Sequence, residues 1–286
     1  MPAARDLLQL MKPGISLALT YSALVGFLMA SGPQVSFGGL LIALLGSFLG
    51  VAGAEAMSAY TDRDVDALMA RTKHRPVPAG RLSARFALGY GLMLSLAAHG
   101  LLLVALGPLP FLFMLSGTVI YVLVYTALLK RRTPLNIVVG SFAGGMPLLV
   151  GSSSAGSVPP AVLFAYLLIV IWTPAHIWSL SLHYRDDYRR GGIPMLPAVL
   201  AAEAAPRAVG LASLALFSAS MLGAVAGLGS AYYAGLLPLN AALLALSLPF
   251  LRGKGDRALP LFRFTNTYLL LSLGLMALDS VLFRAL

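Results

Sequence analysis

Asp62 and Asp66 stand four residues apart and are preceded at the same spacing by Ser58. If one helix runs through this segment, these three side chains share a face, whereas Asp64 points elsewhere. Two carboxylates one helical turn apart form the kind of ligand set that holds Mg²⁺ together with the phosphates of a substrate. The spacing therefore predicts a magnesium site at Asp62 and Asp66, with Ser58 as a candidate third ligand.

Basic side chains follow this acidic pair, at Arg71, Lys73 and Arg75. Such groups form charge-assisted hydrogen bonds with phosphate oxygens. Acidic groups for a metal beside basic groups for phosphate indicate a diphosphate site. The spacing alone leaves an alternative open, a solvated loop in which aspartates and arginines only neutralise each other.

A second acidic pair, Asp186 and Asp187, follows an apolar tract that contains His176. If the two acidic segments face each other, they could clamp one diphosphate through more than one Mg²⁺. His176 is a candidate for binding an acceptor, since ionisable residues inside a membrane are often functional, or for a helix–helix contact. Trp178 and Tyr184 are further candidates for an acceptor pocket, and the alternative for both is an anchor at the membrane interface.

Further polar residues lie at the ends of other apolar tracts. Lys130 either contacts phosphate or fixes the topology, and Arg185 is a further candidate for the diphosphate. Asn136 opens an apolar helix, where its amide needs a partner, and is also a candidate for the donor site. Glu55 and Asp279 lie within or at the edge of apolar tracts and are neutral, paired with an arginine, or turned toward a wet cavity.

The composition indicates a membrane protein, because 59% of the 286 residues are hydrophobic and only 10% are charged, against about 25% in soluble domains. Four tracts without Asp, Glu, Lys or Arg are each long enough for two membrane helices, and a fifth is long enough for one. These tracts are 13–54, 86–129, 133–184, 208–251 and 264–278. We therefore predict an all-α polytopic protein with nine transmembrane helices, forming a single domain over residues 1–286.

Turn residues near the middle of each double tract predict tight hairpins, at 31–33, 107–108, 151–160 and 227–230. All basic residues except Arg284 lie in the N-terminal segment or in islands at 62–85, 130–132, 185–207 and 252–263. With nine spans these places share one side of the membrane, which the positive-inside rule assigns to the cytoplasm. This predicts an N-in, C-out topology. Charges confined to short islands argue against a nucleic-acid partner.

Three long runs resemble the UbiA superfamily of intramembrane prenyltransferases, and within it the branch that attaches a farnesyl group to heme. They are DRDVDALMARTKHRPVPAGRLS (62–83), YTALLKRRTPLNIVVG (125–140) and WTPAHIWSLSLHYRDDYRRGGIPMLP (172–197), with KPGIS (12–16) in support. The resemblance implies a nine-helix fold, Mg²⁺ as the cofactor, and farnesyl diphosphate and heme B as substrates. It also implies a bacterial inner membrane location, an active site toward the cytoplasm, and a heme A synthase as a downstream partner.

Carried over by position, the resemblance makes Asp62 and Asp66 the carboxylates of the first motif, and Asp186 and Asp187 those of the second. Arg71, Arg75 and Lys130 would then contact the diphosphate. The sequence departs from the family at Ser58, where Asn is usual, so this position offers a shorter oxygen ligand.

Two alternative functions remain. One is a prenyltransferase acting on an aromatic quinone precursor, but the PAHIW and GGIPMLP runs favour heme. The other is a secondary transporter without chemistry. Transporters place ionisable groups near the middle of the bilayer, whereas nearly all carboxylates here cluster at the predicted cytoplasmic ends.

Overall fold

The computed structural model describes residues 3–31 and 35–283. Within these ranges every regular element is helical, and nine helices are long and apolar enough to cross a membrane. Both findings confirm the predicted all-α fold and span number. They follow from long apolar tracts, because a backbone in lipid must satisfy its hydrogen bonds within the segment.

The helices, in chain order, are α1 (Ala4–Leu10), α2 (Pro13–Ala30), α3 (Phe37–Thr61), α4 (Arg63–Leu68), α5 (Ala84–Leu106), α6 (Pro108–Thr118), α7 (Asn136–Gly144), α8 (Met146–Ser154), α9 (Pro160–His183), α10 (Arg185–Arg190), α11 (Leu196–Val199), α12 (Ala204–Ser220), α13 (Ser230–Leu251) and α14 (Ala258–Phe283). A π-helical segment, Val119–Leu129, continues α6, and a 3₁₀ turn, Met221–Ala226, continues α12. The pair α7 and α8 forms one span, and α1, α4, α10 and α11 are short helices that do not span.

The predicted hairpins lie where the turn residues stand. Gly107 separates α5 from α6 with φ +93°, and Gly227 ends the 3₁₀ turn with φ +82°. Glycine adopts this left-handed backbone without a steric penalty. The hairpin at 151–160 begins after α8 ends at Ser154, and in the hairpin at 31–33 residues 32 and 33 lie outside the described residues.

Glycines allow the helices around the site to approach closely. A Cβ atom on Gly53 of α3 would lie 2.8 Å from the carbonyl oxygen of Gly91 on α5. A Cβ atom on Gly151 of α8 would lie 1.8 Å from the carbonyl oxygen of Ala23 on α2. Small residues at such crossings are typical of helix packing in membranes, where close van der Waals contact replaces the hydrophobic effect.

The buried carboxylate of Asp279 has a structural role. It lies on α14, and its two oxygens accept hydrogen bonds from the backbone nitrogens of Gly229, at 2.7 Å, and Tyr232, at 3.1 Å. Gly229 directly precedes α13 and Tyr232 lies in its first turn, where the backbone donors have no partner within the helix. Asp279 therefore caps α13 from a neighbouring helix, at the end of the bundle opposite the predicted cytoplasmic islands.

Candidate active site

A cavity of about 330 Å³ opens between α2, α3, the π-helical segment, α7 and α9. Its charged lining residues come mainly from helix ends and the loop after α4, and they are Lys12, Glu55, Asp62, Asp66, Arg71, Arg75 and Lys130. Its remaining walls are mostly apolar and include Leu19, Val51, Met114, Ile137, Met146 and Ile177. A charged end that continues into an apolar chamber suits an amphipathic ligand with an anionic head.

The first acidic motif faces this cavity as the spacing predicted. The backbone nitrogen of Asp62 donates to the carbonyl of Ser58, and that of Asp66 to the carbonyl of Asp62, so helical hydrogen bonding continues from α3 into α4. Asp62 and Asp66 are 3% and 6% exposed and line the cavity, whereas the side chain of Asp64 is 61% exposed. Asp64 instead pairs with Arg131, whose hydrogen bonds lower the pKa of Asp64 to about 2.

Each cavity carboxylate holds a basic partner. Lys130 Nζ lies 2.6 Å from Asp62 Oδ2, and Arg75 Nη1 lies 2.8 Å from Asp66 Oδ2. Burial alone would raise the pKa of Asp62, but the charge and hydrogen bond of Lys130, with smaller contributions from Lys12 and Ser58, hold it below its ordinary value. The site thus contains acidic and basic side chains side by side, as a diphosphate site requires.

The π-helical segment places Lys130 at the cavity. The backbone nitrogen of Lys130 donates to the carbonyl of Tyr125, five residues earlier, at 2.8 Å. The rings of Tyr121 and Tyr125, which both line the cavity, stack with centroids 5.9 Å apart. π-Helical turns frequently mark functional sites because they shift side chains out of α-helical register.

Two buried atoms at the cavity lack a hydrogen-bond partner among the described residues. One is Asp62 Oδ1, an acceptor, and the other is Arg71 Nε, a donor. Leaving such groups unsatisfied is costly, and a bound cation and a bound phosphate oxygen would satisfy them. The residues present therefore fit Mg²⁺ and a diphosphate.

The described residues contain no cluster of three or more acidic, histidine or cysteine side chains arranged to hold a metal unaided. Mg²⁺ is commonly bound through one or two carboxylates together with substrate phosphates. Asp62 and Asp66 match that arrangement, with the substrate supplying further oxygen ligands.

The second acidic motif is not brought to the cavity, contrary to expectation. Asp186 is exposed, and neither it nor Asp187 is among the cavity lining. The buried Asp187 carboxylate accepts hydrogen bonds from the backbone nitrogens of Ala70, at 3.1 Å, and Arg71, at 3.0 Å, and pairs with Arg190. The chain turns at Tyr184, between α9 and α10, which directs Asp187 toward the loop after α4. Asp187 therefore positions the segment that carries Arg71.

Three other residues predicted at the donor site also lie away from the cavity lining. Lys73 is exposed. Asn136 is buried, and its Nδ2 donates to the carbonyls of Lys130, at 3.2 Å, and Thr133, at 2.8 Å, so it shapes the turn that carries Lys130. Arg185 donates to the carbonyl of Leu200.

The three predicted acceptor residues do not line the cavity either. His176 is stacked between Trp172 and Phe262, each with a ring-centroid distance of 4.3 Å, and its Nδ1 lies 3.0 Å from Thr265 Oγ1. Trp178 is buried in the core, and the ring of Tyr184 lies under the guanidinium of Arg71. The face of α9 that does line the cavity carries Trp172, Thr173, Ile177 and Leu180.

Three residues that the sequence did not assign to the site meet at the cavity, Lys12, Glu55 and Tyr121. For Glu55 the sequence left a cavity open as one of three alternatives. Glu55 Oε2 accepts hydrogen bonds from Lys12 Nζ, at 2.6 Å, and from Tyr121 OH, at 2.9 Å. The KPGIS run contained a signal for Lys12, but its partner lies on another helix, 43 residues away.

Residues 19–272 match the sequence model of the UbiA prenyltransferase family. The chain belongs to this family. Among similar proteins, the protoheme IX farnesyltransferase of Pyrobaculum arsenaticum is 44% identical over 207 residues, which cover 72% of this chain and 74% of that protein. The protoheme IX farnesyltransferase of Synechococcus sp. is 38% identical over 280 residues, which cover 96% of this chain and 84% of that protein.

Solved structures share the fold of this UbiA-family chain. A digeranylgeranylglyceryl phosphate synthase superposes with a TM-score of 0.79 at 14% identity, covering 98% of this chain and 99% of that chain. A UbiA homologue from Archaeoglobus fulgidus bound to GPP and Mg²⁺ superposes with a TM-score of 0.66 at 18% identity, covering 95% of this chain and 99% of that chain. The predicted UbiA-type bundle is therefore confirmed.

Proposed function

We propose that this chain transfers the farnesyl group of farnesyl diphosphate to a vinyl group of heme B, with addition of water, to give heme O. The observation that carries the proposal is the cavity itself. Its charged end holds two buried atoms, Asp62 Oδ1 and Arg71 Nε, that have no hydrogen-bond partner among the described residues, and its other walls are mostly apolar. The protoheme IX farnesyltransferases among its relatives support heme as the acceptor.

The basic residues of the cavity would bind the diphosphate. Arg71 Nε is a buried donor without a partner in the described structure, and Lys130 and Arg75 hold their carboxylates through single contacts. Each of these cations has donors left for phosphate oxygens, because lysine offers three and arginine five. Asp187 supports this role by fixing the backbone at Ala70 and Arg71.

Asp62 and Asp66 would hold Mg²⁺, which in such a site neutralises the charge that develops on a leaving diphosphate. Ser58 Oγ donates to Asp62 Oδ2 at 3.1 Å, so this hydroxyl orients the carboxylate, and Oδ1 is left without a described partner. Ser58, which is shorter than the asparagine usual at this position in the family, would therefore act by orienting Asp62.

The apolar walls would hold the isoprenoid chain and limit the access of water. In the reaction the bond between C1 of the farnesyl group and the diphosphate oxygen breaks, and C1 bonds to the terminal vinyl carbon of the heme. Water then bonds to the inner vinyl carbon and loses a proton. Because a farnesyl cation is readily captured by water, excluding bulk solvent from C1 favours transfer to the acceptor.

The acceptor would bind against the cavity face of α9, at Thr173, Ile177 and Leu180, with Trp172 at its edge. This placement replaces the predicted contacts from His176, Trp178 and Tyr184. We further propose that the site opens to the cytoplasm from a bacterial inner membrane, and that a heme A synthase uses the product.

The direct test is to incubate the purified protein with heme B, farnesyl diphosphate and Mg²⁺ and to analyse the heme by mass spectrometry. A heme that has gained one farnesyl group and one water supports the proposal. A parallel incubation replaces heme B with an aromatic quinone precursor. An unchanged heme together with farnesylation of that precursor would support the other acceptor class instead.

A further inference from the structure

Glu55 is a buried carboxylate that the proposed donor site does not use. It is 4% exposed and lines the cavity, within the span formed by α3. Both of its hydrogen bonds, from Lys12 and Tyr121, reach Oε2, and no described residue donates to Oε1. One oxygen is therefore held in place while the other remains available to a ligand or water in the cavity.

The position of Glu55 relative to the donor site follows from helix geometry. It precedes Asp62 by seven residues, so it faces nearly the same direction and lies about 10 Å deeper along the helix axis. In the proposed complex the reacting carbons would lie next to the diphosphate, on the side of the apolar chamber. Glu55 lines the same cavity and would border the part where farnesyl C1 and the acceptor meet.

The backbone at Lys12 gives a second, independent observation. Lys12 has φ +44°, and among the described residues it is the one non-glycine residue with positive φ. This conformation is costly for a side chain with a Cβ atom, and it persists where surrounding contacts enforce it, often at functional sites. Here Lys12 directly precedes α2, and its ammonium lies 2.6 Å from Glu55 Oε2.

We propose that Glu55 is the general base for the water-addition step, an inference that rests on the proposed function. After C1 has bonded to the terminal vinyl carbon, the inner vinyl carbon carries the positive charge. A water held at Glu55 Oε1 bonds to that carbon through its oxygen, and one of its protons passes to Glu55. The step consumes one water and neutralises the cation, and it needs no oxidant or reductant.

Without a base at this position, the same cation would lose a proton from the adjacent carbon, the former terminal vinyl carbon, to the released diphosphate. The product would then be an alkene, lighter than the hydroxylated heme by one water. The two routes share every step up to carbon–carbon bond formation. The ratio of hydroxylated to unsaturated product therefore reports on Glu55 separately from diphosphate binding.

The test compares Glu55→Gln with the unsubstituted protein, measuring diphosphate release and both heme products by mass spectrometry. Glutamine keeps the size of the side chain and an acceptor for Lys12 and Tyr121, but it cannot take a proton. We expect diphosphate release within about threefold of the unsubstituted rate and a product ratio lower by about a hundredfold, the usual contribution of a general base. Glu55→Asp, which draws the carboxylate back by one methylene, should give an intermediate ratio.

The matched control is Asp64→Asn, the same acid-to-amide change on a side chain that lies outside the cavity lining. It should leave both the release rate and the product ratio unchanged. An unchanged ratio in a folded Glu55 variant, or equal loss of release and of both products, would overturn the inference and indicate a structural ion pair with Lys12. Absence of any farnesylated heme from the unsubstituted protein would overturn the proposed function, and the inference with it.

Discussion

The ammonium of Lys130 lies 2.6 Å from Oδ2 of Asp62, while Oδ1 of the same carboxylate has no partner among the described residues. One oxygen of this carboxylate is thus held by Lys130, and the other is buried at the cavity without a described partner. Lys130 follows the π-helical segment, and Asp62 follows α3. The contact therefore fixes two spans to each other at the point where the donor would bind.

Replacing the cavity aspartates should stop turnover. Asp62→Asn and Asp66→Asn are each expected to lower the rate at least about a hundredfold, because metal stabilisation of a leaving group is worth several kcal/mol. Asp64→Asn should change it less than about twofold, since Asp64 lies outside the cavity lining and its ion pair with Arg131 is at the surface. Steady-state diphosphate release measures all three. Equal losses in the three variants would contradict the assignment of Asp62 and Asp66, but not Asp64, to the cavity.

Removing the basic partner of Asp62 should affect stability as well as activity. Lys130→Met leaves the buried Asp62 carboxylate without its ion pair, a change that typically costs about 3–5 kcal/mol. The double variant Lys130→Met/Asp62→Asn should recover much of the melting temperature but none of the activity. Thermal unfolding in detergent and the turnover assay, run on the same preparations, separate the two effects. A double variant less stable than the single one would show that the pair is not the stabilising contact.

Removal of divalent metal should abolish farnesyl transfer, because Asp62 and Asp66 supply too few ligands to hold the ion against a chelator. Activity measured in excess EDTA should be at background and should return when Mg²⁺ exceeds the chelator. EDTA already saturated with Mg²⁺ is the control for effects of the chelator itself. Transfer that persists in excess EDTA would exclude the metal-dependent mechanism.

The N-in, C-out topology stays a prediction, and reporter fusions can test it. Fusions after Arg75, Arg131, Arg189 and Lys254 should report the cytoplasm, since basic loops remain on that side. Fusions at Gly107, Gly156, Gly227 and the C-terminus should report the opposite side. A cytoplasmic signal from the C-terminus would require an even number of spans in the membrane.

Substitution of His176 can distinguish a role in helix packing from a role in binding the acceptor. Because it is stacked between Trp172 and Phe262 and does not line the cavity, we expect His176→Ala to cost about 1–3 kcal/mol of stability. The affinities of the folded variant for heme B and farnesyl diphosphate should not change. His176→Phe, which retains an aromatic ring, should lose less stability. A selective loss of heme affinity at an unchanged melting temperature would restore His176 to the acceptor site.

The spans and the first acidic motif could be predicted because each depends on local sequence. Apolar length fixes a membrane helix, and Asp62 and Asp66 lie in one nearly continuous helical segment, so their spacing fixes their common face. The second motif resembles the first in composition, but the helix ends between His183 and Arg185. A change of direction at one residue moved Asp187 away from the cavity.

Contacts between distant segments could not be predicted in the same way. The pairing of Glu55 with Lys12 and Tyr121 depends on how three spans pack, and no local pattern encodes it. The same holds for Asp279, whose partners in α13 lie about fifty residues earlier in the chain. Glu55 and Asp279, for which the sequence left three alternatives open, are thus both explained by helix packing.

The charges at the cavity have a consequence for the order of binding. Its lining contains one more basic side chain than acidic ones, so the formal charges of the protein at this site are close to balanced. A diphosphate arriving alone would bring more negative charge than this small surplus can neutralise in a low-dielectric environment. A divalent cation arriving alone would meet carboxylates already paired with Lys130 and Arg75. Electroneutrality therefore favours entry of the two as a single complex, which predicts that the apparent affinity for each rises with the concentration of the other.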